Sequence, residues 1–248
     1  MPLDLLTAAM PEDPVLDVAL SHALLIEVAA GRRPPALRLF RPGPAVAFGR
    51  LDAIRPGFPT ACAVARERGF TPLVRSVGGH AAVFDRRSLV VEHVTHEEDV
   101  TAGLQDRFAA QASLLERVLR ELGADARVGE LPGEYCPGGH SIHARGIKVA
   151  GIGQRAIRRA ANTSAVVVVG GGETVRALVA AVYAALELDV DATTAGSLDE
   201  VAAGLGIDAV ADAIREAYAS RAGGLRPSEP DEALYARARE LLPRHRAP

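Results

Sequence analysis

Cys136 and Lys148 stand twelve residues apart in Glu134-Tyr135-Cys136-Pro137-Gly138-Gly139-His140-Ser141-Ile142-His143-Ala144-Arg145-Gly146-Ile147-Lys148. A thiol attacks as its thiolate, and a nearby cation pulls its pKa below the usual value of about 8.5. Lys148 is the candidate cation. Of 28 Lys plus Arg it is the only lysine, and a compact ammonium can serve where the planar guanidinium fork cannot. The ammonium could also hydrogen-bond a carbonyl oxygen that gains negative charge during acyl transfer. His140 and His143 are candidate proton carriers. Cys62, inside Thr60-Ala61-Cys62-Ala63-Val64, reads as a core filler.

A second stretch, Val74-Arg75-Ser76-Val77-Gly78-Gly79-His80-Ala81-Ala82-Val83-Phe84-Asp85, places two glycines between two strand-like runs. Such a pair lets backbone approach a ligand closely and frees N–H groups for a carboxyl or acyl carbonyl.

Positioning these groups requires a hairpin. Arg145-Gly146 suits a tight two-residue turn between strands Ser141–Ala144 and Ile147–Gly151. Ala144 then faces Ile147 and His143 faces Lys148, on one side of the sheet and within about 5 Å at Cβ. Cys136 lies upstream in a Gly- and Pro-rich loop, 129–139, that can fold over that side. Apolar periodicity predicts helices at 15–30, 58–68, 104–122 and 173–186. In the third, Phe108 is expected to face the core. Strands are predicted at 37–40, 45–48, 72–75, 81–84, 89–94 and 164–169. From Ser197 on, the chain reads as helical, opened by the capping-box pattern Ser197-Leu198-Asp199-Glu200. The expected fold is α+β: a mixed, largely antiparallel sheet packed with helices. Residues 1–190 would form the catalytic domain and 191–248 a small C-terminal helical appendage.

The net charge of -3 gives no general attraction to nucleic acid. No apolar run is long enough to span a bilayer. No secretory pattern opens the chain, and two cysteines make no disulfide framework, so the expectation is cytoplasmic. The glycines of Val169-Gly170-Gly171-Gly172-Glu173-Thr174 lack the Lys-Ser/Thr of a phosphate loop. His93-Val94-Thr95-His96-Glu97-Glu98 has metal-binding residue types but no partner group elsewhere. It reads as a solvated polar loop, with no metal expected.

Both stretches resemble the signature regions of the lipoate-protein ligase and octanoyltransferase superfamily. Arg75, Gly78, Gly79, Ala82 and Val83 match its Arg-x-x-Gly-Gly-x-Ala-Val segment. Gly146, Lys148, Ala150, Gly151, Gln154 and Arg155 match its Gly-x-Lys-x-Ala-Gly-x-x-Gln-Arg segment. The resemblance covers about Val15 to Leu186. Tyr135-Cys136-Pro137-Gly138, twelve residues before Lys148, and Gly170 to Glu173 before a helix are similar to the octanoyl-[glycine cleavage H protein]:protein octanoyltransferase branch.

That resemblance implies a biotin/lipoate-ligase-like fold and transfer of an octanoyl or lipoyl group between lipoyl-domain lysines through a Cys136 thioester. It implies catalytic roles for Cys136, Lys148 and His143. Arg75, Gly78, Gly79, His80, Ala81, Gly151 and Gln154 would bind substrate. No cofactor is implied; the partners would be glycine cleavage H protein and the E2 subunits of 2-oxoacid dehydrogenases. Arg155, Arg158 and Arg159 would meet their acidic surfaces. The sequence departs from the family at Ile147, His80 and Ala161-Asn162-Thr163-Ser164. Two rivals share the scaffold: an ATP-dependent lipoate or octanoate ligase, which would use ATP and Mg, and a non-catalytic acyl or lipoyl-domain binder.

Overall fold

The computed structural model describes residues 2–248. In chain order the elements are β1 (Leu3–Leu6), α1 (Pro14–Ala29), β2 (Ala36–Phe40), β3 (Ala45–Phe48), α2 (Phe58–Glu67), β4 (Thr71–Val74), β5 (Ala82–Phe84), β6 (Ser88–His96), α3 (Leu104–Glu121), β7 (Ala126–Val128), β8 (Ile142–Ala144), β9 (Ile147–Ile157), β10 (Ala160–Val168), α4 (Gly172–Ala185), α5 (Leu198–Val201), α6 (Ile207–Ala222), β11 (Leu225–Pro227) and α7 (Glu232–Leu241). Helix α1 starts where Asp13 accepts the Leu16 N–H at 3.0 Å and Pro14 takes the first turn, a position where a missing N–H costs nothing.

The large sheet has the order β11-β1-β2-β6-β10-β9-β8-β7, and a small sheet the order β4-β3-β5. Pairing is antiparallel from β2 through β7 and parallel for β11–β1, β1–β2 and β3–β4. This is the mixed, largely antiparallel α+β arrangement expected. One face of the large sheet packs on α3 and α6 through Leu115, Leu119, Ile214 and Tyr218. Between the sheets lie Ala45, Ala47, Leu73 and Phe84, with Val18 and Val166 packed against them.

The registers align side chains across strands. Gly151 pairs with Val166, Val166 with Val90, and Val90 with Phe40, giving one row across β9, β10, β6 and β2. Two residues along each strand, on the same face, a parallel row runs Gly153, Ser164, Glu92 and Arg38.

Several elements differ from the sequence-based expectation. The strands predicted at 147–151 and 164–169 are parts of one long hairpin, β9–β10, turning at Arg158-Arg159. Gly151, Gly153 and polar Gln154 and Arg155 hid its middle from a hydrophobic pattern. The short strands β1, β7 and β11 carried no pattern at all. His93 and His96 lie on β6 rather than in a solvated loop, with His93 edge-on to Tyr218 at 5.5 Å. Ser197 stands at the N-cap of α5, a single turn, but its side chain makes no cap bond there. Its hydroxyl instead accepts the Gly172 N–H at 2.9 Å, bracing the start of α4. Residues 191–248 contribute β11 beside β1, α6 against α3 and α7 against α1. No helix among the described residues is long and apolar enough to cross a membrane.

Candidate active site

The β8–β9 turn forms because Arg145 and Gly146 both adopt positive φ, +50° and +78°, as the mirror-image hairpin turn requires. His143 pairs with Lys148 and Ala144 with Ile147, with a bulge at Ile142/His143. The side chain of Lys148 is 1% exposed. Its ammonium has three donors and three acceptors: Glu134 Oε1 at 2.9 Å, the Tyr135 carbonyl at 2.9 Å and the Cys136 carbonyl at 2.8 Å.

Glu134 gathers the rest of the loop. It accepts the Ser141 hydroxyl, the Gly138 N–H at 3.3 Å and the Leu131 N–H at 3.1 Å. A charged acceptor with this many donors, fully buried, fixes the loop that carries the thiol.

Cys136 itself has φ +43°, a left-handed conformation uncommon outside glycine and informative at a functional residue. Its N–H donates to the Tyr183 hydroxyl at 2.6 Å, and that hydroxyl donates to the Ala81 carbonyl at 3.0 Å. The cation in hydrogen-bond contact with the sulfur is Arg75, with Nη2 at 3.1 Å from Sγ and 2.6 Å from the His80 carbonyl. Lys148, which the sequence suggested as the direct partner of the thiol, instead holds the backbone on either side of it. Arg75 is 7% exposed and its Nε is buried without an acceptor.

Gly79 separates these groups. It has φ +97°, and a Cβ there would stand 2.7 Å from Sγ and 2.6 Å from Arg75 Nη2. Glycine is required here for conformation and for space together. Gly78 donates to the Gln154 carbonyl at 3.4 Å, seating the glycine turn on β9. The His80 ring lies 2.6 Å from Oδ1 of Asp52, a fully buried carboxylate that also accepts the Gly49 N–H at 2.8 Å. Gly151 lies against the Lys148 stem, where a Cβ would meet Lys148 Cε at 3.4 Å, an ordinary contact distance. Gln154 Oε1 receives Arg107 at 3.0 and 3.2 Å.

The thiol faces two spaces. Outward, an open groove of about 280 Å³ is lined by Gly78, Gly79, Phe108, Cys136, His140 and Gln154. Phe108, expected in the core, forms its wall and stacks on His140 with centroids 5.1 Å apart. Inward, a narrow cavity of about 20 Å³ is bounded by Arg75, Tyr135, Cys136, Lys148, Gly151 and Val166. His143 lines neither of these spaces. Its ring lies beside Gly129. Cys62 is fully buried, and burial pushes its thiol up to about 11, which leaves it inert. Arg158 and Arg159 are exposed on the β9–β10 turn, whereas Arg155 is half-buried on β9.

Sequence reasoning gave no role to Glu134, Asp52 or Tyr183. Glu134 belongs to the quoted motif, so proximity to Cys136 was its only signal. Tyr183 sits on a helix of apolar text and Asp52 in a loop, and neither carries a local pattern.

A sequence model of the lipoyl protein ligase A/B catalytic domain matches residues 13–219. The octanoyl-[GcvH]:protein N-octanoyltransferase of Geobacillus kaustophilus is 30% identical over 159 residues, covering 64% of this chain and 56% of that protein. The protein of the same name from Anoxybacillus flavithermus is 31% identical over 159 residues, covering 64% and 57%. The chain thus spans a little over half the length of these relatives. Among solved structures, a putative lipoate protein ligase from T. acidophilum with bound lipoic acid superposes with a TM-score of 0.80 at 20% identity, covering 98% of this chain and 96% of that one.

Proposed function

Since the chain belongs to the lipoyl protein ligase A/B catalytic-domain family, we propose that it is an acyltransferase carrying an octanoyl or lipoyl group as a thioester on Cys136. The observation that supports this most directly is the Cys136 sulfur 3.1 Å from the Arg75 guanidinium, between an open groove and a narrow inward cavity. The donor and acceptor are lysines of lipoyl-domain proteins, such as glycine cleavage H protein and E2 subunits, and the compartment is the cytoplasm.

The thiolate, held by Arg75, attacks the carbonyl carbon of the acylated donor lysine. A C–S bond forms, the C–N bond breaks, and the departing amine takes a proton. His140, in the groove with the thiol, is the group assigned to that transfer. The acceptor amine then attacks the thioester. A C–N bond forms, the C–S bond breaks, the amide nitrogen gives up its extra proton to His140, and the sulfur returns to Arg75 as thiolate. The free Arg75 Nε–H serves the acyl oxygen as charge builds there. Lys148 acts through the loop, fixing Glu134 and the Tyr135 and Cys136 carbonyls. One amide replaces another, so the reaction needs no ATP.

Incubation with octanoylated H protein, followed by intact mass, tests this reading. Wild type gains one octanoyl mass that hydroxylamine removes, and Cys136→Ala gains none. Lipoate-driven ATP–pyrophosphate exchange without an acyl mass on Cys136 would identify a ligase instead. Binding of the lipoyl domain with neither reaction, unchanged in Cys136→Ser, would identify a non-catalytic binder.

A further inference from the structure

Three large hydrophobic side chains are exposed among the described residues: Leu51 at 65%, Ile54 at 79% and Leu104 at 37%. Single apolar residues scattered over a surface are ordinary, but these are not scattered. All three stand on segments that border the groove of Cys136. Leu104 opens α3, and its carbonyl accepts from Gln154 Nε2 at 3.4 Å; Gln154, Gln105 and Phe108 line that groove. Leu51 and Ile54 lie on the loop between β3 and α2, which abuts the glycine turn. A Cβ on Gly49 would stand 1.8 Å from the Gly79 carbonyl oxygen, and Asp52 Oδ1 lies 2.6 Å from the His80 ring. Gly79 is the wall of the groove beside the sulfur.

The β3–α2 loop is pinned while its apolar side chains face water. Asp52 is fully buried and accepts the Gly49 N–H at 2.8 Å, and Arg55 Nε donates to the Leu186 carbonyl at 2.8 Å. A backbone fixed in advance spares a partner the entropy of ordering it. The charges beside these side chains are of one sign. Arg50, exposed, precedes Leu51, and Arg155 follows Gln154. Arg244, also exposed, precedes His245, whose carbonyl accepts the Val74 N–H at 2.9 Å, one residue before Arg75. Burial first, then Arg50 and Arg244, lowers the Arg155 guanidinium, with no carboxylate offsetting them.

We propose that Leu51, Ile54 and Leu104, edged by Arg50 and Arg244, form the docking surface for the lipoyl domain, which meets them with an apolar patch bordered by carboxylates. The inference rests on the acyl-transfer reading above. Reach argues for this occupant. From Cα to the amide carbon an acylated lysine spans about six bonds, each advancing roughly 1.25 Å, or roughly 7.5 Å in all. The attack distance adds roughly 3 Å. The donor backbone therefore comes within roughly 10 Å of the sulfur, and a folded domain that close rests on whatever borders the groove. Opposite charge around an apolar centre would steer the domain in and fix its orientation.

The test compares two acyl donors on the full chain, octanoylated H protein and the N-acetylcysteamine thioester of octanoic acid, with acyl mass on Cys136 read over time. From the thioester, the Cys136 thiolate forms the new C–S bond and N-acetylcysteamine leaves as its thiolate. Leu51→Ser with Ile54→Ser is expected to lower kcat/KM for H protein roughly tenfold or more, the value of losing a buried apolar side chain, and to leave the thioester rate unchanged. Added salt should slow loading from H protein, and less so in Arg50→Gln with Arg244→Gln. Unchanged loading from H protein, or an equal loss with both donors, would overturn the docking surface while leaving acyl transfer standing. So would a wild-type dimer, seen by light scattering, that the Leu51 and Ile54 substitutions abolish, since a second copy would then occupy this face. No acyl mass on wild-type Cys136 from either donor would overturn both.

Discussion

Lys148 and Glu134 form an ion pair at 2.9 Å in which neither side chain is more than 1% exposed. All three ammonium donors are spent on the loop that carries Cys136. The point charge can reach one carboxylate and two carbonyls from a single atom, and a planar fork cannot. In a chain where arginine takes every other Lys or Arg position, this geometry explains the exception.

Removing either partner leaves a buried charge unpaired, an effect of roughly 3–5 kcal/mol. Glu134→Gln and Lys148→Met are therefore expected to lower the urea midpoint strongly and to slow acyl loading of Cys136. Lys148→Met with Glu134→Gln, which removes both charges, should recover much of the stability but not the loading. A double variant as unstable as the singles added together would contradict the pairing.

Gly79→Ala should silence the thiol without unfolding the protein. The left-handed conformation costs an alanine roughly 1–2 kcal/mol, and the new methyl would displace Sγ or Arg75. Loss of octanoyl loading with a nearly native thermal midpoint is the expected result. Normal loading would contradict the requirement for glycine at this turn.

Arg75→Gln should reduce both the alkylation of Cys136 by iodoacetamide at neutral pH and its acylation. A hydrogen bond to a charged group is worth about 1.5–3 kcal/mol, or roughly ten- to hundredfold in rate. Cys62 is the internal control, since it should stay unmodified in both proteins. Unchanged alkylation would remove Arg75 from the role of thiol partner.

Stability should fall in mild acid. Burial, then His245 and the nearby arginines, pulls His22 down to about 4, and burial followed by Arg221 does the same to His93. In the unfolded chain both titrate near 6.5. Between about 6.5 and 4 the unfolded state therefore binds more protons, and stability is lost as pH falls through that window. Each imidazole contributes on the order of 3 kcal/mol at the acid end. Urea unfolding from neutral pH down to about 4 checks this, and His93→Gln should flatten the profile. A curve with no loss between these limits would contradict it.

The site was legible where chemistry and chain were local. Arg145-Gly146 announced its own hairpin, and with it the His143–Lys148 register. The two glycines before His80 marked the turn where backbone meets the sulfur. What stayed hidden depends on contacts across the fold. Arg75 reaches the thiol from 61 residues away and Tyr183 reaches the backbone N–H of Cys136 from 47, and no periodicity encodes such pairs. The β9–β10 hairpin stayed hidden for a different reason: Gly151, Gly153, Gln154 and Arg155 interrupt its strand pattern. His143 shows the converse: register places it opposite Lys148, yet it lines neither the groove nor the cavity at the thiol.

The Tyr183 hydroxyl has one hand on the backbone of the nucleophile and the other on the strand after the glycine turn, through the Cys136 N–H and the Ala81 carbonyl that leads into β5. One α4 residue thus ties together the two chain segments that flank the sulfur. Tyr183→Phe removes both bonds at once and is expected to slow octanoyl loading of Cys136, read by intact mass; unchanged loading would show that the tie is dispensable.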